Sequence, residues 1–178
     1  RVLRIETASS LVATGIADHI LPELPALQLE VDEHARHKDV YQHTLTVLDQ
    51  AIELEKARGH APDIVNRLAA LLHDIGKPAT RRFEGPKVTF YHHDIVGAKQ
   101  ATRRLKALCY PTQVVKSVAK LIELHLRFHG YSDGEWTDAA VRRYVRDAGD
   151  ELERLHILTR ADCTTRNPKK ANMLAKRM

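Results

Sequence analysis

The sequence of 178 residues is long enough for one domain, and 43% of its residues are hydrophobic. That fraction supplies a sizeable core and excludes an intrinsically disordered chain. No apolar run is long enough to span a bilayer and no signal peptide is recognisable, so we expect no membrane partner. Two cysteines do not predict a disulfide framework, which favours a cytoplasmic location. The formal net charge of +5 permits a polyanionic partner such as RNA without requiring one.

The N-terminal part of the chain is expected to form a connecting helical segment. Ser9 or Ser10 is predicted to cap a short helix that runs through residues 17–20. A long helix then follows, with Asp39 as a good N-cap and Gly59 at its end.

His43 on this long helix is the first candidate metal ligand. It lies three residues after Val40 and four before Val47, so its side chain points along the apolar face. A lone histidine on such a face is more often a satisfied core histidine than a ligand. The metal interpretation therefore depends on which other residues accompany His43.

The next helix carries a His-Asp pair at its carboxyl end. Pro62 is expected in its first turn, and Gly76 and Pro78 are expected to end it after His73 and Asp74. An aspartate there faces the negative end of the helix dipole and adjoins the core, so its charge needs compensation. A metal ion that also binds His73 would compensate it; the alternative is a simple hydrogen bond between the two side chains.

The remainder of the chain predicts an all-α fold with one interruption. Residues 79–91 lose the helical pattern, and a Glu-Gly-Pro turn before a β-prone stretch predicts a small hairpin or ordered loop. Further helices are expected at 94–108, 111–125, 137–149 and 152–162.

Asp162 in the last of these helices is the second carboxylate expected at a metal. It shares an apolar stripe with Leu155 and Leu158, and a buried aspartate is costly unless it is paired. The alternative is a salt bridge with Arg160, Arg166 or an arginine elsewhere in the chain.

Four residues on core-facing helical surfaces make a candidate metal site: His43, His73, Asp74 and Asp162. Two imidazoles and two carboxylates form a rather hard ligand set, which suits Mn²⁺, Ni²⁺, Mg²⁺, Fe²⁺, Co²⁺ or Zn²⁺ with open water positions. A metal with open positions activates water and polarises a phosphoryl oxygen.

Three residues are expected to act with Asp74 in catalysis. His93 begins a helix with Gly97 four residues on, where another backbone could come close, and His125 ends a strongly apolar helix. Either histidine could bind a second metal, hydrogen-bond a phosphate or serve as the general acid. Lys77 could hold a phosphate, and the alternative is an ordinary exposed lysine.

A basic surface is predicted along the helix at 137–149 and in the C-terminal tail. Its members are Arg142, Arg143, Arg146, Arg166, Lys169 and Lys170. They could follow an RNA backbone, and the alternative is a solvated helix face. The chain lacks clustered aromatics for base stacking, which favours recognition of shape and phosphate.

Six residues carry a resemblance to a known family: His43, His73, Asp74, His93, His125 and Asp162. In this order they resemble the HD-domain metal-dependent phosphohydrolase superfamily, and His-Asp-Ile-Gly-Lys-Pro at 73–78 closely matches its central motif. The resemblance implies an all-α HD-domain bundle that cleaves phosphate esters with metal-bound water. It implies metal ligands at His43, His73, Asp74 and Asp162, with His93 and His125 as the additional histidines. The implied domain division is a connecting segment at 1–38, an HD domain at 39–166 and a basic helical tail from 167.

Longer segments resemble actinobacterial CCA-adding tRNA nucleotidyltransferases of the poly(A)-polymerase family. The matching segments are residues 33–34, 37–43, 68–80, 128–131 and 160–167. This resemblance covers residues 9–178 and implies tRNA as a partner. Those enzymes add nucleotides with a head that carries a Gly-Ser motif and an Asp-x-Asp pair, and neither occurs in this sequence. We therefore expect a piece of a longer protein, without the head and without CCA addition of its own.

Three functions are compatible with the sequence. The first is a metal-dependent phosphomonoesterase or 2′,3′-cyclic phosphodiesterase that also contributes to tRNA binding. The second is a catalytically silent, tRNA-binding body of a nucleotidyltransferase. The third is a stand-alone HD nucleotidase or cyclic-dinucleotide phosphodiesterase, but the Gly-Tyr-Pro addition of one such branch is absent because Ser132 follows Gly130-Tyr131.

Overall fold

The computed structural model describes residues 3–29, 39–85, 87–128 and 137–163, and these form an all-α fold with one small hairpin. The α-helices are α1 (Ile5–Ala13), α2 (Ile16–Ile20), α3 (Val40–Ala57), α4 (Ile64–Leu72), α5 (Lys77–Thr80), α6 (His93–Ala107), α7 (Thr112–Leu124), α8 (Asp138–Ala148) and α9 (Leu152–Asp162). Short 3₁₀ turns occupy Pro25–Leu29 and Gly149–Glu151. Strands β1 (Arg82–Glu84) and β2 (Lys87–Thr89) pair antiparallel, with Phe83 opposite Val88. The predicted fold class and the predicted hairpin are confirmed.

Helix α4 lies at the centre of the bundle. It contacts α3, α7 and α9, and every residue from Val65 to Leu72 is buried. Most of these residues are leucine or alanine, which favour helix and pack closely. The buried Arg67 is compensated by Glu55 of α3, whose Oε2 accepts a hydrogen bond from Arg67 Nε at 2.9 Å. The carboxyl end of α4 is therefore held inside the bundle.

Helix α3 begins and ends where the sequence predicts. The Asp39 side chain accepts a hydrogen bond from the Tyr41 amide at 2.9 Å. Gly59 follows the helix with φ +69°, a conformation that glycine adopts without steric cost. The helix packs against α4 and α9, which brings its inner face toward the centre.

Two predictions for helix starts are wrong. Ser9 and Ser10 lie inside α1 and do not cap a helix, because α2 starts after Gly15. Pro62 lies outside the first turn of α4, because Asp63 is the N-cap and accepts a hydrogen bond from the Val65 amide at 2.9 Å.

The predicted stop signals after the His-Asp pair have other roles. Gly76 has φ −77°, so it is not a left-handed helix end, and α4 already finishes at Leu72. A Cβ atom at Gly76 would lie 2.1 Å from the His93 carbonyl oxygen and 2.7 Å from the Gly97 amide nitrogen. Glycine is therefore required because the backbone packs directly on α6. Pro78 lies in the first turn of α5, where its missing amide hydrogen costs nothing.

This packing predicts that Gly76→Ala is strongly destabilising. The added methyl group must displace backbone atoms of α6, so we expect a loss of about 2 kcal/mol or more in the free energy of unfolding. Urea unfolding followed by circular dichroism measures it. Gly85→Ala is the control, because φ at Gly85 is +61° but no atom lies within 4 Å of the new Cβ. The control should lose only about 1 kcal/mol, from backbone strain alone. Equal losses in the two variants would contradict the close packing.

Candidate metal centre

Seven predicted site residues converge from five helices and one connection. His43 lies on α3, Asp162 ends α9, and His125 follows α7 directly. His93 and Lys77 are the first residues of α6 and α5. His73 and Asp74 lie in the turn between α4 and α5. Residues up to 119 positions apart in the chain therefore meet at one place.

One group of possible ligand atoms comprises His43, His73 and Asp162, whose atoms lie within 4.8 Å of one another. His43 Nε2 is 2.9 Å from Asp162 Oδ1. His73 Nε2 lies 3.5 Å from the same carboxylate oxygen. Asp162 thus contacts two histidines.

A second group comprises Asp74, His93 and His125, again within 4.8 Å. His93 Nε2 is 3.3 Å from Asp74 Oδ1. Asp74 Oδ2 lies 3.2 Å from His73 Nε2 and 3.8 Å from His43 Nε2, so this carboxylate joins the two groups. The His125 ring lies 5.4 Å, between centroids, from the rings of both His73 and His93.

Burial is uneven across the centre. The side chains of His73 and Asp74 are 0% and 2% exposed, and His93 and His125 are buried too. His43 and Asp162 retain 16% and 13% exposure. The centre is therefore reached from solvent on the side of α3 and α9.

Three of the histidines are oriented by backbone carbonyl groups three residues earlier. Nδ1 of His73, His93 and His125 donates to the carbonyl oxygens of Ala70, Phe90 and Ile122 at 2.8, 2.7 and 2.6 Å. A carbonyl oxygen can only accept, so the hydrogen must lie on Nδ1. In the neutral ring Nε2 then carries a lone pair directed into the centre. This is the usual orientation of a histidine that binds metal through Nε2.

The polar atoms that face inward are incompletely satisfied. Among the described residues, Nε2 of His73 and of His125 has no hydrogen-bond partner. Asp74 Oδ2 makes no hydrogen bond of good geometry either, although Lys77 Nζ lies 3.0 Å away. Buried polar atoms are rarely left unpaired, and imidazole nitrogen with carboxylate oxygen is a donor set that first-row divalent metals accept. The residues therefore fit a divalent ion.

The charges of the metal-free centre compensate one another. Burial alone would lower the pKa of His73, but the facing carboxylates of Asp74 and Asp162 raise it to about 10. Burial alone would raise the pKa of Asp74, but the charges of His73 and Lys77 hold it well below its usual value. Burial, followed by the charge on His73, lowers the pKa of His125 to about 4.

Lys77 is not the ordinary exposed lysine that was the alternative in the sequence analysis. It is buried, and its Nζ lies 3.0 Å from Asp74 Oδ2 and 5.5 Å from the centroid of the Phe90 ring. Sequence reasoning missed Phe90, which supports Lys77 and whose carbonyl oxygen orients His93. The only signal for Phe90 was its β-prone surroundings, which gave no indication of this contact.

The predicted basic surface is only partly within the described residues. Arg142, Arg143 and Arg146 are exposed on α8. Arg142 lies 4.0 Å from Asp138, and Arg146 lies 3.6 Å from Asp147. Arg166, Lys169 and Lys170 fall outside the described residues.

Several curated proteins are similar in sequence to this chain. The chain is 34% identical over 155 residues to an A-adding tRNA nucleotidyltransferase of Deinococcus radiodurans, which covers 86% of this chain and 34% of that protein. It is 38% identical over 115 residues to a CC-adding tRNA nucleotidyltransferase of Thermus thermophilus, covering 63% and 25%. A multifunctional CCA protein of Acinetobacter baumannii is 31% identical over 117 residues, covering 65% and 26%.

The chain thus spans about a third or less of the length of these curated relatives. The predicted resemblance to the nucleotidyltransferases is confirmed. The family model described as the HD domain matches residues 40–167, which include all six histidines and aspartates of the centre. The chain therefore belongs to the HD domain family.

Proposed function

We propose that this chain is a divalent-metal-dependent phosphohydrolase that acts on phosphate esters of nucleotides. The observation that supports this most is the pair of His/Asp groups, one partly and one fully buried, that Asp74 joins, with histidine Nε2 atoms directed inward. The Nε2 atoms of His73 and His125 are buried without a hydrogen-bond partner among the described residues, and an ion would satisfy them. Accessibility beside His43 and Asp162 gives a substrate a route to it.

The ion would be held by His43, His73, Asp74 and Asp162. When bound, it would supply Lewis-acid activation of water and of a phosphoryl oxygen. His93 and His125 form, with Asp74, the second group, which would hold a second ion or contact the phosphate. The kind of metal is not fixed by this donor set, which accepts Mn²⁺, Ni²⁺, Mg²⁺, Fe²⁺, Co²⁺ or Zn²⁺.

The remaining catalytic roles would belong to Lys77, His93 and His125. Lys77 places a positive charge beside Asp74 and offsets negative charge when a phosphate enters. His93 is the better-placed general acid, because its Nε2 faces a carboxylate oxygen at 3.3 Å. His125 is neutral near pH 7, since its pKa is lowered to about 4, and its Nδ1 hydrogen is already donated to Ile122. Its Nε2 therefore offers a lone pair, which suits a ligand or an acceptor.

A role in tRNA binding is the second candidate, and the relatives' names favour it. The exposed arginines of α8 would contact the RNA backbone, with Arg166, Lys169 and Lys170 of the tail. In the catalytically silent alternative, the centre would be structural and only this binding would remain. The domain boundaries at residues 39 and 166 and the cytoplasmic location also remain predictions.

Asp74→Asn should abolish hydrolysis, because the carboxylate that joins both groups is lost. We expect kcat/KM for a 2′,3′-cyclic nucleotide to fall by more than about 100-fold. Loss of an outer-shell partner of a metal ligand already lowers activity by up to about 100-fold, and loss of a ligand should lower it further. The assay uses protein purified without chelators and supplied in turn with Mn²⁺, Ni²⁺, Co²⁺ and Mg²⁺. Asp49→Asn, which alters an exposed carboxylate of α3, is the control and should keep full activity. If the protein binds metal but hydrolyses no ester, the result would instead support the alternative in which the chain is catalytically silent and only binds tRNA.

Metal should stabilise the fold, and removal of metal should reverse the effect. At a metal concentration of 100 times Kd, a single ion adds about 2.7 kcal/mol to the free energy of unfolding. Thermal unfolding with and without chelator measures it. His93→Asn should reduce the shift, whereas His92→Asn should not, because His92 is exposed and asparagine tolerates its φ of +63°. An equal shift in both variants would exclude His93 from the ion's surroundings.

A further inference from the structure

A polar cavity lies at the end of the bundle opposite the metal centre. It has a volume of about 270 Å³ and lies between the end of α3 and the starts of α4 and α9, whereas the metal centre uses the start of α3 and the ends of α4 and α9. His43 of the centre and Glu55 of the cavity are separated by about 18 Å along α3, at about 1.5 Å per residue. The residues that line the cavity are Glu55, His60, Asp63, Asn66, Asp150, Glu153, Arg154 and Ile157.

The cavity is acidic although the chain as a whole is basic. Its wall carries four carboxylates and one arginine, in a chain of net charge +5. The guanidinium of Arg154 is already held by two of the acids, because its Nε lies 2.6 Å from Asp63 Oδ2 and its Nη1 lies 2.9 Å from Glu151 Oε2. Asp150 forms no ion pair with any described residue, and the side chain of Glu153 is 63% exposed. The cavity is therefore complementary to a cation.

The wall of the cavity also contains a buried hydrogen-bond acceptor that lacks a donor. Asn66 is 0% exposed, and its Nδ2 donates to Glu55 Oε1 at 3.1 Å. A carboxylate only accepts, so this contact assigns the other amide atom of Asn66 as the oxygen Oδ1. Within the part of the chain that the structure describes, Oδ1 has no hydrogen-bond partner. Buried acceptors are rarely left unpaired, so a ligand with N–H donors would satisfy this oxygen.

Two simpler explanations of the cavity are incomplete. Asp63 caps α4, and Asp150 and Glu151 directly precede α9, where carboxylates are favourable because the positive end of the helix dipole faces them. That explains the position of the acids but not the unpaired oxygen of Asn66. A single metal ion is not favoured either, because the groups of three ligand atoms within 4.8 Å of one another, among the described residues, are both at the His/Asp centre. The occupant should therefore be larger than an ion and carry more than one donor.

We propose that this cavity binds a small alkyl diamine as its diammonium cation. One ammonium group would lie at the exposed rim, beside Asp150 and Glu153, and the other would donate to Asn66 Oδ1 in the buried wall. The alkyl chain between them would pass the buried Ile157. The volume of about 270 Å³ is near the lower end of small-molecule sites, about 300 Å³. Acceptors both at the rim and in the wall favour two ammonium groups over the single one of a lysine side chain.

Isothermal titration calorimetry with 1,4-diaminobutane tests this site on the metal-free protein. We expect saturable binding of one molecule per chain. Asp150→Asn with Glu153→Gln should weaken binding at least about tenfold, because hydrogen bonds from an ammonium group to charged carboxylates are lost. Both side chains are exposed, so the double variant should fold normally. n-Butylamine should bind at least about tenfold more weakly than the diamine, because it has only one ammonium group.

The matched control removes the same amount of charge elsewhere. Asp138→Asn with Glu84→Gln neutralises two exposed carboxylates that do not line the cavity, and affinity for the diamine should stay within about twofold of the unaltered protein. An equal loss in this control would mean attraction by net charge only, and would overturn the proposal. So would equal affinity for n-butylamine, or no saturable binding of the diamine to the unaltered protein.

Nuclear magnetic resonance of the ¹⁵N-labelled protein locates the diamine without any substitution. The side-chain amide signal of Asn66 should shift as the diamine is added, whereas that of Gln42, exposed beside His43 at the other end of α3, should not. A shift at Gln42 without one at Asn66 would contradict the assignment. Calorimetry on the Mn²⁺-loaded protein should give the same affinity for the diamine. Loss of binding there would place the diamine at the metal centre and would refute the cavity as its site.

Discussion

The buried carboxylate of Asp74 is the constraint on which the rest of the site depends. Its charge lies inside the bundle, at the carboxyl end of a helix whose dipole opposes it. Burial of an uncompensated charge would cost several kcal/mol, so positive groups must surround it. His73 and Lys77 supply that charge in the metal-free chain, and the raised pKa of His73 reflects the same balance. A divalent ion would satisfy the carboxylate together with the inward-facing Nε2 atoms.

The helical framework fixes the positions of these groups before any ligand binds. The close contact between Gly76 and α6 sets the distance between the His-Asp turn and His93. The rings of His73, His93 and His125 are oriented in the same way, because each Nδ1 donates a hydrogen bond to the carbonyl oxygen three residues earlier. Because hydrogen bonds at separate helix ends fix these three rings, their Nε2 atoms face the centre before an ion binds, which favours a preorganised site.

Sequence patterns predicted the helix caps and the histidines and aspartates of the centre, but not the contacts between distant segments. Asp39 and Thr137 cap their helices as expected, since capping depends on neighbours in sequence. The six histidines and aspartates were recognisable from their order and from the His-Asp-Ile-Gly-Lys-Pro motif. The burial of Lys77 and the true role of Gly76 were not, because both arise from contact with the segment around residues 90–97. The exposure of the Phe83 and Tyr91 rings could not be predicted for the same reason, because composition does not show which side chains reach the surface.

The most direct test of the account is a crystal structure of the Mn²⁺-loaded protein, with anomalous scattering measured above the manganese edge. We expect an anomalous peak from an ion coordinated by His43, His73, Asp74 and Asp162, with Nδ1 of His73 still bonded to the Ala70 carbonyl group. An ion bound elsewhere, or no ion at all with the same side-chain arrangement, would contradict it. The histidines and aspartates would then be a buried polar network that holds the helices together.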